Sequence, residues 1–298
     1  VVSGATTATA AVVLIYTSNE VTTDFVLADI TVTDCTNDAF TGSSTVYGST
    51  CTVAADSTPT VLVAAGAFND ASGNDNSVSN TYTWTQDDTG PTMTITSDTV
   101  ASGATTATAA VVLIYTSNEV TTDFALVDIT VTECSNAAFT TESTTVYGST
   151  CTEDSNGAIP TVLVAVDKYT DAMGNDNTVS NTYTWTYDTA DPTMTITSTA
   201  GTADGGTSSV AAFALTFTSN EATANFVVGD ITATGGDGCT LGNFAQGGSA
   251  AIYTATCTRA DGETGNVLVA ADAFTDAAGN GNSVSNTFDW TYDGTAPT

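Results

Sequence analysis

Three acidic positions and one amide recur along the chain in a pattern that suits cation chemistry. Glu20, Glu119 and Glu221 each follow Ser-Asn. Asp70, Asp171 and Asp276 each open an Asp-Ala-x-Gly-Asn turn, closed by Asn74, Asn175 and Asn280. Asp87, Asp188 and Asp293 each lie just beyond a tryptophan, Trp84, Trp185 or Trp290. A further acid, Asp29, Asp128 or Asp230, precedes Ile-Thr in each copy and reads as a turn or strand-entry residue. The chain has no histidine and no Cys-x-x-Cys pair. The available ligands are therefore oxygens, which suit a hard cation such as Ca²⁺ with its roughly 6–8 oxygen ligands.

The recurrence belongs to the whole chain. Ser3–Phe25 reads SGATTATAAVVLIYTSNEVTTDF and returns unchanged at Ser102–Phe124, and a diverged third copy carries Thr218-Ser219-Asn220-Glu221. Trp84, Trp185 and Trp290 mark the period, as do Pro91, Pro192 and Pro297. A period of roughly 100 residues means whole domains in a row, since solenoid units are about 20–50 residues long. The expected units are 1–90, whose first strand is missing from the chain, 91–191, and 192–298, which ends at the start of a next repeat.

Within repeat two, residues 92–96 alternate polar and apolar, and 110–115 form a short β-branched apolar run. Segments 128–132, 144–151, 161–166 and 181–187 also read as strands, the last alternating Tyr183, Trp185 and Tyr187 on one face. Ser117-Asn118, Ser135-Asn136, Asn156-Gly157 and 171–177 read as the turns between them. No run has a helical period. Short strands at this spacing predict an all-β fold, an antiparallel β-sandwich in each repeat. Tyr82, Trp84, Tyr183, Trp185, Phe288 and Trp290 alternate as core residues do rather than as an exposed sugar platform.

In a seven-strand sandwich, the loop after the second strand and the loop before the last lie at one end, where the chain also enters. The first junction would then gather Asp87, Asp88, Glu119, Asp171 and Asn175. The second would gather Asp188, Asp191, Glu221, Asp276 and Asn280. Glu20, Asp70 and Asn74 are the matching set of repeat one. Two readings of these sets stand side by side. One is an interdomain Ca²⁺ that stiffens each joint. The other is an ordinary turn, in which Asp and Asn bond nearby backbone and Gly supplies a positive φ.

Each copy has two cysteines, so the pairs Cys35–Cys51, Cys134–Cys151 and Cys239–Cys257 are expected as identical intradomain disulfides. Such bonds imply an oxidising, extracytoplasmic compartment. The cysteines flank a short middle segment and the tryptophan sits on the last strand, which differs from an antibody-type domain. The staple should join neighbouring strands or close a long loop.

Composition excludes several classes of function. There are 33 Asp plus Glu against two basic residues, Lys168 and Arg259, for a net charge of −31. Partners that need Lys and Arg, nucleic acid and anionic membrane, are excluded on that ground. No apolar run approaches the ~20 residues of a membrane span. No Asn-x-Ser/Thr sequon occurs, while the many Thr and Ser leave O-glycans open. Without histidine the usual general base near neutral pH is missing. Acids that recur in turns and linkers do not form one catalytic pair, so no enzyme is expected.

Residues 269–298, VAADAFTDAAGNGNSVSNTFDWTYDGTAPT, together with TFTSNE and NFVVGDIT upstream, resemble the bacterial Ig-like repeats found in tandem in large surface proteins. The resemblance spans all three repeats. It implies Ig-like sandwiches arranged end to end at a cell surface. One departure is the cysteine pair in each copy, which such repeats as a rule lack.

The expected function is structural: a repeat segment of an extracellular filament, appendage or surface stalk, whose partners are neighbouring copies of the same repeat in a head-to-tail homopolymer or longer array. The alternative is a calcium-dependent adhesin whose repeats bind glycans or other cells. A weaker alternative is a surface-layer or matrix protein. The phase of the repeat suggests a stretch of a longer array; the other reading is that repeat one takes its missing strand from another molecule by β-strand addition.

Overall fold

The computed structural model describes residues 1–298 except 154, 199–202, 224, 235–238, 260, 261 and 263. The described residues form short strands joined by turns, with three single-turn 3-10 helices at Leu27–Asp29, Leu126–Asp128 and Val228–Asp230. In each of these turns the aspartate closes its own loop. Asp29, Asp128 and Asp230 accept the backbone N–H of Val26, Ala125 and Val227 at 2.8 Å, which is the strand-entry role expected of them.

Repeat two shows the plan. One sheet has the order Ser135–Thr141, Val146–Thr152, Ala110–Ser117, Met93–Thr96. The other has the order Ile129–Thr132, Thr161–Val164, Tyr183–Thr184. A short parallel pair, Thr105–Thr106 with Thr186–Tyr187, joins the first loop to the last strand. Repeat three repeats the plan, with Met194–Ser198, Ala212–Ser219, Ile252–Thr258 and Thr240–Gln246 in its first sheet. The same parallel pairing recurs in repeat one, Thr6–Thr7 with Thr85–Gln86, and in repeat three, Gly206–Ser208 with Phe288–Tyr292; the remaining strand pairs among the described residues are antiparallel, as the period-2 patterns require.

Two details depart from the sequence reading. Ser135 and Asn136, read as a turn, begin the strand Ser135–Thr141. That strand is polar and half exposed, so it carries no apolar alternation. Its partner strand and the neighbouring disulfide hold it extended, with a bulge between Ala137 and Thr140 where Ala138 takes a positive φ of 52°. The last strand also breaks at Trp185: Tyr183–Thr184 pairs with Thr161–Val164, and Thr186–Tyr187 pairs with Thr105–Thr106.

Each repeat has its own core. Trp84, Trp185 and Trp290 are each 1% exposed at the centre of three separate apolar clusters. Each such ring removes about 150–250 Å² from water, a gross gain of roughly 4–6 kcal/mol. The residue two places after the second cysteine faces this ring and differs in every copy. Val53 packs in the first core, Glu153 accepts the Trp185 indole N–H in the second, and Arg259 lies 5.3 Å from the Trp290 ring centroid in the third.

The disulfides join Cys35–Cys51, Cys134–Cys151 and Cys239–Cys257, with Cα–Cα distances of 5.7, 5.7 and 5.5 Å. In repeat two the bond ties the start of Ser135–Thr141 to Val146–Thr152, next to the Asn136–Cys151 pair of the ladder. It therefore staples neighbouring strands of one sheet. The outer sulfurs are part-exposed and the inner cysteines Cys51, Cys151 and Cys257 are fully buried.

Candidate metal centre

Three elements bring three carboxylates together at each junction. Glu119 follows the central strand Ala110–Ser117. Asp171 opens the turn before the last strand. Asp87 lies in the linker that leaves repeat one, immediately after Thr85–Gln86. One oxygen from each lies within 4.8 Å of the others. Asp188, Glu221 and Asp276 form the same group at the second junction, again within 4.8 Å. At Ca²⁺–O distances of 2.3–2.6 Å, two oxygens on one ion stand at most about 5 Å apart, so these spacings fit a shared ion.

The turn that carries Asp171 is built by amides. Asp171 Oδ1 accepts the backbone N–H of Met173 at 2.7 Å and of Asn175 at 2.9 Å, while its Oδ2 accepts the Asn175 side-chain amide at 2.8 Å. Gly174 takes a φ of +89°, the conformation for which a glycine is needed here. Asn177, only 2% exposed, fixes the loop from beneath. Its Oδ1 accepts the N–H groups of Lys168 and Tyr169, and its Nδ2 donates to the carbonyls of Ala165 and Thr178. Asn282 does the same in repeat three. All four capacities of the amide are used, so the loop is rigid before any ion arrives.

The same turn grips the linker. Asn175 Nδ2 donates to the Asp87 carbonyl at 3.2 Å, and Thr178 N–H donates to the Pro91 carbonyl at 3.0 Å. Thr92 N–H donates to Asn118 Oδ1 at 2.6 Å, and Asn118 N–H returns a bond to the Thr92 carbonyl at 3.2 Å. At the second junction, Asn280 donates to the Asp188 carbonyl at 2.9 Å, Ser283 to Pro192 at 2.9 Å, and Thr193 to Asn220 Oδ1 at 2.6 Å. The linker lies so close at Gly90 that a Cβ there would stand 1.9 Å from the Asp176 carbonyl oxygen.

The carboxylates face one another without a basic neighbour. Burial, then the charges on Asp87 and Asp171, push the Glu119 carboxyl above its ordinary value; the Asn118 amide, 3.1 Å from Oε1, offsets part of this. Burial, then Asp188 and Asp276, push Glu221 up in the same way. Asp171 goes the other way: burial raises it, but the bonds from Asn175, Met173 and Gly174 together outweigh burial and hold it below the usual range. Lys168 is exposed on its loop, and Arg259 is buried against Trp290.

Not every expected residue joins these groups. Asp88 is exposed, and its backbone N–H donates to Asp56 Oδ1 at 3.1 Å. Asp191 is exposed in the second linker, at the place Gly90 holds in the first. In repeat one, Asp70 and Asn74 form the turn, with Asn74 donating to Asp70 at 2.8 Å, but Glu20 is exposed and no third acid groups with them among the described residues. Two kinds of residue escaped the sequence reading. Asn118 and Asn220 both seat the incoming linker and orient the adjacent glutamate. Asp56 and Asn156 cap it from the other side, accepting N–H groups of Asp88 and Thr189. The Ser-Asn-Glu triplet held the signal for the first pair; nothing local marked the second.

Residues 188–292 match the family model of the bacterial Ig-like domain. That match covers the third repeat alone; repeats one and two share its sequence landmarks, so the chain is similar to bacterial Ig-like repeats in tandem. No curated protein sequence matches the chain. Among solved structures, it is similar to the Escherichia coli adhesin FdeC, with 14% identity and a TM-score of 0.43 over 97% of this chain and 94% of that one. It is also similar to invasin, a bacterial integrin-binding protein, with 14% identity and a TM-score of 0.34 over 89% of this chain and 55% of that one. The S-layer protein SbsC gives 11% identity and a TM-score of 0.30 over 98% of this chain and 54% of that one. Neither the bacterial Ig-like family nor these structures are enzymes.

Proposed function

We propose that this chain is a load-bearing run of three Ig-like units, 1–90, 91–191 and 192–298, in an extracellular filament or surface stalk. Each joint is stiffened by one Ca²⁺ held by Asp87, Glu119 and Asp171, or by Asp188, Glu221 and Asp276. The observation that carries the reading is the clamped linker. At both junctions the same turn that presents a carboxylate also bonds the linker backbone. A flexible tether for independent modules would leave its linker solvated. The disulfides support an oxidising compartment. An adhesin that grips glycans through its repeats would show aromatic platforms, yet the three tryptophans are buried and the exposed large apolar side chains are valines and isoleucines.

Small-angle scattering of the 298-residue protein, in EDTA and in millimolar CaCl₂, tests this. The reading requires one extended, narrow distance distribution with Ca²⁺ and a broader one without it. A flexible ensemble in both conditions would refute the stiff shaft, and an identical rigid profile in both would remove the ion.

A further inference from the structure

The two junctions are built alike but exchange one pair of residues. The residue before the linker proline is Gly90 at the first junction and Asp191 at the second. In the turn that faces it, the residue after Asn175 is Asp176, and the residue after Asn280 is Gly281. Each junction therefore has one side chain and one glycine at these two places, in opposite arrangement. The bonds on either side do not change. Asn175 and Asn280 donate to the carbonyls of Asp87 and Asp188 at 3.2 and 2.9 Å. Thr178 and Ser283 donate to those of Pro91 and Pro192 at 3.0 and 2.9 Å. Asp176 and Gly281 also make the same isolated bridge, to Thr170 and Thr275.

The space at the contact explains the exchange. At the first junction a Cβ on Gly90 would stand 1.9 Å from the Asp176 carbonyl oxygen and 2.9 Å from its carbonyl carbon. That peptide plane cannot swing aside, because its other end, the Asn177 N–H, is bonded to the Tyr169 carbonyl at 3.0 Å. Asp191 has the Cβ that Gly90 lacks, yet it sits between the same flanking bonds. The backbone at 281 must therefore leave it room. In repeat three the turn lies back against its own loop: a Cβ on Gly281 would stand 2.2 Å from Asp272 Oδ1 and 3.5 Å from Asp272 Cα. A side chain at 281 would have to displace that carboxylate or move the turn towards the linker. Repeat two shows the second state. Asp167 has the φ of Asp272, 58° against 57°, while Asp176 carries a side chain and its carbonyl crowds the linker.

We propose that these two positions form a matching code between a linker and the repeat that follows it. A repeat with aspartate at this place in its turn accepts a linker that ends in Gly-Pro. A linker with a side chain before its proline accepts a repeat with glycine there. The code works by exclusion, the way closely similar partners are told apart. Two copies of repeat two joined by their own linker would set Asp191 against the Asp176 carbonyl, and that junction would not close. Steric contact carries the effect. Asp176 and Asp191 are both exposed, so two such carboxylates at one junction would add like-charge repulsion. The code acts on the linker backbone and needs no ion at the carboxylate groups.

The test is a double-mutant cycle on the 298-residue protein in EDTA, which separates it from the ion reading. The readout is hydrogen exchange at the two junction amides, Thr178 N–H and Ser283 N–H, with the strand amides of Thr161–Val164 and Thr264–Val269 reporting that each repeat stays folded. G90D should speed exchange at Thr178 roughly 5- to 150-fold, the range for an overpacked contact. G90A should show most of that effect, since the Cβ makes the contact. Adding D176G to G90D should return exchange to the value of D176G alone. G281D should speed exchange at Ser283 alike, and adding D191G should restore it. G281D rebuilds the pair of aspartates that repeat two already holds, and if its strand amides lose protection the Gly90–Asp176 cycle decides alone. Three results would each overturn the proposal: unchanged Thr178 exchange in G90D, a D176G effect that merely adds to that of G90D, or Ser283 exchange in a folded G281D that D191G does not restore.

Discussion

Replacing Glu119 by glutamine should change the stability of repeat two in opposite directions with and without Ca²⁺. Glu119 shares its site with Asp87 and Asp171, all within 4.8 Å. Two unit charges at about that distance repel by ~1 kcal/mol in bulk water and by ~3–4 kcal/mol at an effective dielectric near 20. Glu119 is half-exposed, which places it toward the screened end. Removing its charge should therefore relieve about 1–2 kcal/mol of repulsion in EDTA, raising the repeat-two transition by roughly 4–8 °C per kcal/mol. In Ca²⁺ the same change removes a ligand. A wild-type site at about 100 times its dissociation constant gains ~2.7 kcal/mol from the ion, most of which E119Q should forfeit. Calorimetry in EDTA and in CaCl₂ reads both signs, and repeat three, with its own Glu221 group, serves as the unaltered control. A shift of E119Q that is the same in both buffers refutes the ion-binding reasoning.

Three further outcomes follow from the same geometry. Cys134→Ser with Cys151→Ser opens a loop set by a sequence separation of 17; it should cost repeat two about 3 kcal/mol in denaturant titration and leave repeats one and three in place. Gly90→Ala pushes a methyl into the Asp176 carbonyl. It should loosen the first junction by about 1–3 kcal/mol, seen as broadened scattering with unchanged core melting temperatures. The metal-free protein should have a stability optimum on the acid side of neutrality. Glu119 and Glu221 are raised in the fold, so their contribution is fully present below the unfolded carboxylate range and is lost as pH rises through their folded values. Asp70 and Asp171 are lowered, so theirs is present above that range and is lost on further acidification. Thermal melts from pH 3 to 8 in EDTA check this, and E119Q with E221Q should flatten the upper limb.

The parts of the fold that were legible in the sequence are those where one face is buried. The Met93–Thr96 strand alternates cleanly because one side meets the core, whereas Ala110–Ser117, whose apolar run suggested burial on both sides, buries alternate residues and leaves Val112 exposed. Repetition did the rest: acids recurring at matched places in three copies could be assigned to one end of a sandwich, and the structure groups three of them at each joint. Ser135–Thr141 was illegible because an edge strand held by its neighbour and a disulfide needs no apolar pattern of its own. Asp56 and Asn156 act on a linker 32 or 33 residues away, so no local spacing announces them. The close approach at Gly90 likewise depends on how two repeats meet rather than on either alone.

The near absence of basic residues has a consequence for survival outside the cell. A protease that cuts after lysine or arginine finds two candidate bonds in 298 residues. One follows Arg259, which is 6% exposed against Trp290. The other follows Lys168, on a loop whose N–H groups at Lys168 and Tyr169 are both held by Asn177. Such enzymes need a locally unfolded stretch to grip. At Lys168 the two bonds to Asn177 oppose that local unfolding, so cutting there must wait for the Asn177-held loop to open.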